Sequence, residues 1–153
     1  MTTEGNIIEI LLIEDNPGDV ELTRDVFAEW KLRNNIYVVE NGEEGLDFLY
    51  RRGKFGNAVR PDIIFLDLNM PRINGRKMLQ EIKRDKNLCD IPVVILTSSE
   101  AERIDINSKF YATSYIIKPL DLEKFLGIIS GIETFGLNVV KLDKSYVLPM
   151  DKK

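Results

Sequence analysis

Five side chains carry the chemistry open to this chain: Glu14 and Asp15, Asp67, Thr97 and Lys118. Each follows a short run of large apolar residues: Ile7 to Ile13 before the acid pair, Ile63 to Leu66 before Asp67, Ile91 to Leu96 before Thr97, and Tyr115 to Ile117 before Lys118. Carboxylates gathered in one place repel each other, and without a partner at least one is driven towards protonation. A hard divalent cation resolves the conflict. Oxygen-only ligation suits Mg²⁺, which keeps several waters and takes remaining ligands from a phosphate. A lysine beside such a cluster pairs with carboxylate at rest and can equally hold a phosphoryl oxygen, to which a threonine hydroxyl can also donate. A carboxylate can itself be the nucleophile and form an aspartyl phosphate. Singly, these residues have blander roles: an anion pair opening a helix, a loop cap at Asp67, a cap at Thr97, a surface charge at Lys118. Their joint placement, each directly after a buried strand, points to phosphoryl acceptance on Asp67.

The apolar runs are too short for helices of their own and are bounded by Pro61, Pro71 and Gly75, so they read as strands buried on both faces. Asn16-Pro17-Gly18 supplies a cap and a first-turn proline, and Val20, Leu22, Val26, Phe27 and Trp30 recur at helical spacing behind it. Ile36 to Val39 is a short strand. Asn41-Gly42 opens a second helix with the stripe Leu46, Leu49 and Tyr50, and residues 51–60 form a polar loop. Asn74-Gly75 opens a third helix with Met78, Leu79 and Ile82 inward. A weaker helix spans about 100–111, and Asp121 caps a last one through Phe125, Ile128, Ile129 and Ile132. Strand and helix alternate five times, which predicts a doubly wound parallel sheet with helices on both faces. All five candidate residues then converge on the carboxyl edge of one sheet, where ligands bind in open α/β folds.

Composition bounds what else the chain can do. Its 153 residues, 44% hydrophobic and 30% charged, fit one soluble domain, and a net charge of −4 argues against a nucleic-acid surface. The single cysteine, Cys89, excludes an internal disulfide, reads as a small buried filler and suits a reducing cytoplasm. No run reaches a membrane span, and Met1 to Glu4 lacks a signal peptide's features, so neither membrane association nor export is expected. There is no histidine, which removes Ser-His and Cys-His nucleophiles and histidine-bound zinc.

The stretches Leu12-Ile13-Glu14-Asp15-Asn16, Leu66-Asp67-Leu68-Asn69-Met70-Pro71 with Gly75, Ile95-Leu96-Thr97-Ser98, and Tyr115-Ile116-Ile117-Lys118-Pro119 resemble the receiver domains of two-component response regulators. The resemblance covers about Ile7 to Phe135. It implies a flavodoxin-like sheet of strand order 2-1-3-4-5, with Asp67 accepting a phosphoryl group from a histidine kinase. It further implies Mg²⁺, for which Mn²⁺ can substitute, held by Asp15, Asp67 and the backbone carbonyl of Asn69, with Glu14 acting through water. Thr97 and Lys118 would bind phosphoryl oxygens, Thr97 and Tyr115 would form the switch, and the peptide bond before Pro119 would be cis. In such a protein catalysis extends only to its own phosphorylation and dephosphorylation. The loop 51–60, the Asn-Pro after the acid pair and Ile91-Pro92-Val93-Val94 look most like single-domain regulators that partner phytochrome-type histidine kinases.

Three other classes compete. A Mg-dependent phosphatase with an Asp nucleophile needs a second Asp two residues on, where this chain has Asn69. A flavodoxin-like nucleotide carrier would not place Glu14-Asp15 against a phosphate. A silent interaction module would not need Asp67, Thr97 and Lys118 together. The receiver is expected over residues 1–135, followed by an extension over 136–153 whose Leu137, Val139, Val140 and Leu142 are too apolar for a solvated terminus. That extension is expected to pack on its own domain or on a homodimer partner, through a face made of the helix over about 100–111, the fifth strand and the last helix. With only these eighteen residues after Phe135, output would be through protein contacts.

Overall fold

The apolar runs form five parallel strands: β1 over Ile8–Ile13, β2 over Asn34–Val39, β3 over Ile63–Asp67, β4 over Val93–Thr97 and β5 over Ser114–Ile117. The structure, a computed structural model, describes residues 7–30, 33–67, 74–97, 114–118 and 120–132. The strand order is β2-β1-β3-β4-β5, so the expected doubly wound sheet is the one observed. The helices are α1 over Pro17–Glu29, α2 over Gly42–Tyr50, α3 over Asn74–Arg84 and α4 over Leu122–Ile132. The helix expected over about 100–111, Asn69, Pro119 and the extension from 136 lie outside the described residues.

Successive side chains of a strand point to opposite faces, and here both faces are apolar because helices cover both. Ile8, Ile10 and Leu12 of β1, with Phe65, Val94 and Leu96, pack against Val26 and Phe27 of α1, Trp30 at its C-cap and Phe125 of α4. Leu11, Ile13, Ile64, Leu66 and Ile95 point the other way, onto Leu46 and Phe48 of α2 and Met78, Leu79 and Ile82 of α3. The first face holds an aromatic cluster in which Phe27 and Phe125 meet edge to face at 4.8 Å, Trp30 and Phe125 at 4.6 Å. Such pairs each contribute about 1 kcal/mol beyond the area they bury.

The starts of α1, α2 and α4 each have a local cause. The Asn16 side chain accepts from the Asp19 N–H at 2.9 Å, and Pro17 occupies the first helical position, where its missing N–H costs nothing. Asn41 accepts from the Glu44 N–H at 2.8 Å, and Asp121 from the Lys124 N–H at 2.8 Å. Two helix stripes differ from the sequence pattern. On α1 and its C-cap the inward positions are Thr23, Val26, Phe27 and Trp30, while Leu22 is 54% exposed. With the helix starting at Pro17, Leu22 falls off the face that residues 23, 26, 27 and 30 share. On α2 the buried aromatic is Phe48, between Tyr37 and Phe55 at 5.5 Å each, whereas Tyr50 turns out to bond Asp85 at 2.8 Å. The loop 51–60 contains a 3₁₀ turn, Gly53–Phe55, that delivers Phe55 to this cluster. Cys89, expected as a buried filler, is only partly buried, in the turn after α3. Among the described residues no helix is long and apolar enough to cross a membrane.

Candidate functional site

Strand register builds the site. Ile13 lies level with Leu66, Asp67 with Leu96, and Thr97 with Ile117. Glu14 therefore emerges beside Asp67, Thr97 one step further along the neighbouring strand, and Lys118 one step beyond Thr97. The Lys118 N–H donates to the Thr97 carbonyl at 2.7 Å, which carries the ladder past the end of β5. Residues 104 positions apart in sequence thus meet as neighbours.

Lys118 Nζ stands among three carboxylates: 3.1 Å from Asp67 Oδ2, 3.4 Å from Glu14 Oε1 and 2.8 Å from Asp19 Oδ2. Glu14, Asp67 and Thr97 are buried. Glu14 also accepts the Asn16 N–H at 3.2 Å, so the turn between β1 and α1 fixes its carboxyl group. Burial, then a hydrogen bond and like charge from Asp67, push the Glu14 carboxyl up from 4.5 to about 8 against the pull of Lys118 and of the Asn16 N–H. Burial alone would pull the Lys118 ammonium down, but hydrogen bonding to Asp19 and the charges of Asp67 and Glu14 outweigh it and hold Lys118 well above the ordinary lysine value.

Carboxylate oxygens of Glu14, Asp19 and Asp67 lie within 4.8 Å of one another. An oxygen-only set of this kind fits a hard divalent cation. Asp15 is exposed at the rim and is not among these three. Tyr115 is partly buried against the α2–α3 face, level with Ile95 in the sheet. Asp19 was not among the residues singled out in the sequence. Its signal was present nonetheless: it is the first acidic residue of a helix whose cap, Asn16, immediately follows the acid pair.

A parallel 2-1-3-4-5 sheet whose carboxyl edge gathers Glu14, Asp67, Thr97 and Lys118 defines a receiver, and residues 10–130 match the response regulator receiver domain family. The chain belongs to that family. It is 36% identical over 134 residues to the response regulator Rcp1 of Synechocystis sp., spanning 87% of this chain and 91% of Rcp1. Among solved structures, the Mn(2+)-bound form of Rcp1 is 32% identical with a TM-score of 0.68, covering 86% of this chain and 95% of that one. The bacteriophytochrome response regulator AtBRR is 34% identical with a TM-score of 0.77, covering 85% and 95%. The phosphorylated cyanobacterial phytochrome response regulator RcpA is 37% identical with a TM-score of 0.70, covering 86% and 95%.

Proposed function

We propose that Asp67 is the phosphoacceptor of this receiver and that the protein acts as a phosphorylation switch supplied by a sensor histidine kinase of the phytochrome-linked kind. The observation that carries the assignment is the buried Asp67 carboxylate at the end of β3, with the Lys118 ammonium 3.1 Å away. An Asp67 oxygen attacks the phosphorus of the phosphodonor; the new O–P bond forms as the bond to the leaving group breaks. Lys118 and the Thr97 hydroxyl stabilise the charge on the transferring oxygens. Asp15, Asp67 and the Asn69 carbonyl would hold Mg²⁺, or Mn²⁺ in its place, with Glu14 acting through water. A bound divalent cation supplies charge neutralisation between the carboxylate and the incoming phosphoryl group.

Two relatives support this kinase class, since AtBRR is a bacteriophytochrome response regulator and RcpA a phytochrome response regulator. The exposed Leu22 beside the cleft that Lys118 lines gives a kinase domain an apolar foothold next to Asp67. Catalysis is confined to the protein's own phosphorylation and dephosphorylation, in the cytoplasm, and output runs through Thr97, Tyr115 and a homodimer face that the extension over 136–153 reinforces.

Intact mass after incubation with a small acyl-phosphate donor tests the assignment. The wild-type protein gains one phosphoryl group only when Mg²⁺ is present, and Asp67→Asn gains none. Full labelling of Asp67→Asn would refute it. Turnover of a generic phosphate ester would instead favour a phosphatase.

A further inference from the structure

Of the three carboxylates around the Lys118 ammonium, Asp19 is the nearest, and it lies on α1 and not on the sheet edge that carries the other site residues. An ammonium group has three protons, and in the resting protein Asp19, Asp67 and Glu14 engage all three directions. If Asp67 is phosphorylated, a phosphoryl oxygen must take one of these places. Asp67 keeps its claim, because the incoming oxygens are attached to it. Glu14 has a side chain only 1% exposed, so a hydrogen bond to Lys118 lost there has no water to replace it. The Asp19 side chain is 37% exposed and can exchange the ammonium for water at little cost. The nearest carboxylate to the Lys118 ammonium is therefore the one it can most easily leave.

Asp19 is also held firmly where it is. Its backbone N–H is bound by the Asn16 cap at 2.9 Å, and the Asn16 N–H in turn binds Glu14, so one turn fixes two of the three partners of Lys118. We propose that Asp19 is a positioning residue that holds the Lys118 ammonium on the α1 side of the site at rest, a contact that Lys118 surrenders when Asp67 becomes phosphorylated. This presupposes Asp67 as the phosphoacceptor. A ligand that binds one arrangement better shifts the balance only by that difference, so the Asp19 contact opposes phosphorylation by the strength of one partly exposed ion pair. Pairs of that kind correspond to about a two- to fivefold change in an equilibrium or rate.

The test compares wild type with Asp19→Asn and Asp19→Glu at saturating Mg²⁺. Phosphorylation rates are measured with two small donors of different charge, acetyl phosphate and phosphoramidate, and the Lys118 NH₃⁺ resonance is followed by ¹⁵N-edited NMR in the unphosphorylated protein. Asp19→Asn should raise the rate with both donors by about two- to fivefold, and its Lys118 signal should shift and exchange faster with water. Asp19→Glu, which keeps a carboxylate within reach, should return both towards wild type. A rise confined to acetyl phosphate would mean simple repulsion of the more highly charged donor and would overturn the proposal. So would an unchanged or lower rate, or a Lys118 signal that does not move. A wild-type protein that accepts no phosphoryl group from either donor would overturn the Asp67 assignment and this proposal together. Normal wild-type labelling with an unmoved Asp19→Asn rate would overturn this proposal alone.

Discussion

Glu14 is a buried carboxyl group among the described residues. Its carboxyl group is raised from 4.5 to about 8, first by burial and then by Asp67, so the folded state favours the neutral form. The sign follows from linkage: the contribution is complete below about pH 4.5 and is lost as the pH rises through about 8. Metal-free protein should therefore lose thermal stability across that window, and Glu14→Gln should lose less. A pH series of unfolding temperatures on the two proteins checks this, and parallel curves would contradict it. Cation ligands must shed their protons, so Mg²⁺ affinity should strengthen over the same range and binding should release a proton. Isothermal titration in two buffers of different ionisation enthalpy counts that proton.

The turn between β1 and α1 decides more than the start of a helix. Asn16 accepts the Asp19 N–H through its side chain and donates its own N–H to Glu14. Its replacement by alanine removes an N-cap, a loss of about 1 kcal/mol, which in a protein of this size lowers the unfolding temperature by about 2–4 °C. Asn16→Ser should recover most of that loss because a serine hydroxyl can accept the same N–H. Calorimetry on the three proteins makes the comparison. On the opposite face, Gly45 of α2 has a packing reason: a Cβ there would lie 2.7 Å from Met78 Cε and 3.3 Å from Ile13 Cγ1. The Met78 side chain can yield at its tip, so Gly45→Ala is tolerable, but Gly45→Val overfills the face and should cost about 1–3 kcal/mol in denaturant unfolding.

At the scale of the molecule, the sheet joins the proposed phosphoryl site to a partly buried aromatic ring. Thr97 ends β4, and Tyr115, level with Ile95, lies on the neighbouring β5. If phosphoryl oxygens draw the Thr97 hydroxyl inward, space opens for the Tyr115 ring to turn further in, and the two arrangements differ in what β5 presents to a partner. Thr97→Ala should still take a phosphoryl group on Asp67 but lose most of the change in Tyr115 accessibility. Chemical modification of tyrosines before and after phosphorylation reads that change, and an equal response in wild type and Thr97→Ala would remove Thr97 from the switch. The same scale sets the test of association. Removal of residues 136–153 should convert a dimer into a folded monomer by light scattering, whereas an unchanged mass with lower stability would assign the extension to its own core.

The sequence alone determined the described strands and which residues gather at their carboxyl edge. Short β-branched runs broken by proline and glycine can be buried strands but not helices, and Asn16, Asn41 and Asp121 cap as their side chains dictate. Asp67, Thr97 and Lys118 were legible because each sits at a fixed place, the end of an apolar run, which depends only on local pattern. Tertiary structure decided which helix positions face inward and which carboxylates share a cation. Leu22 and Thr23 exchange roles on α1, and Phe48 replaces Tyr50 in the core, because the helix face is chosen by docking on the sheet and not by hydrophobicity alone. Asp19 comes within 2.8 Å of Lys118 only because α1 and the end of β5 meet across the fold, 99 residues apart in the chain. Residue types reveal what a carboxylate can do; only the packed sheet and helix reveal which ammonium it holds.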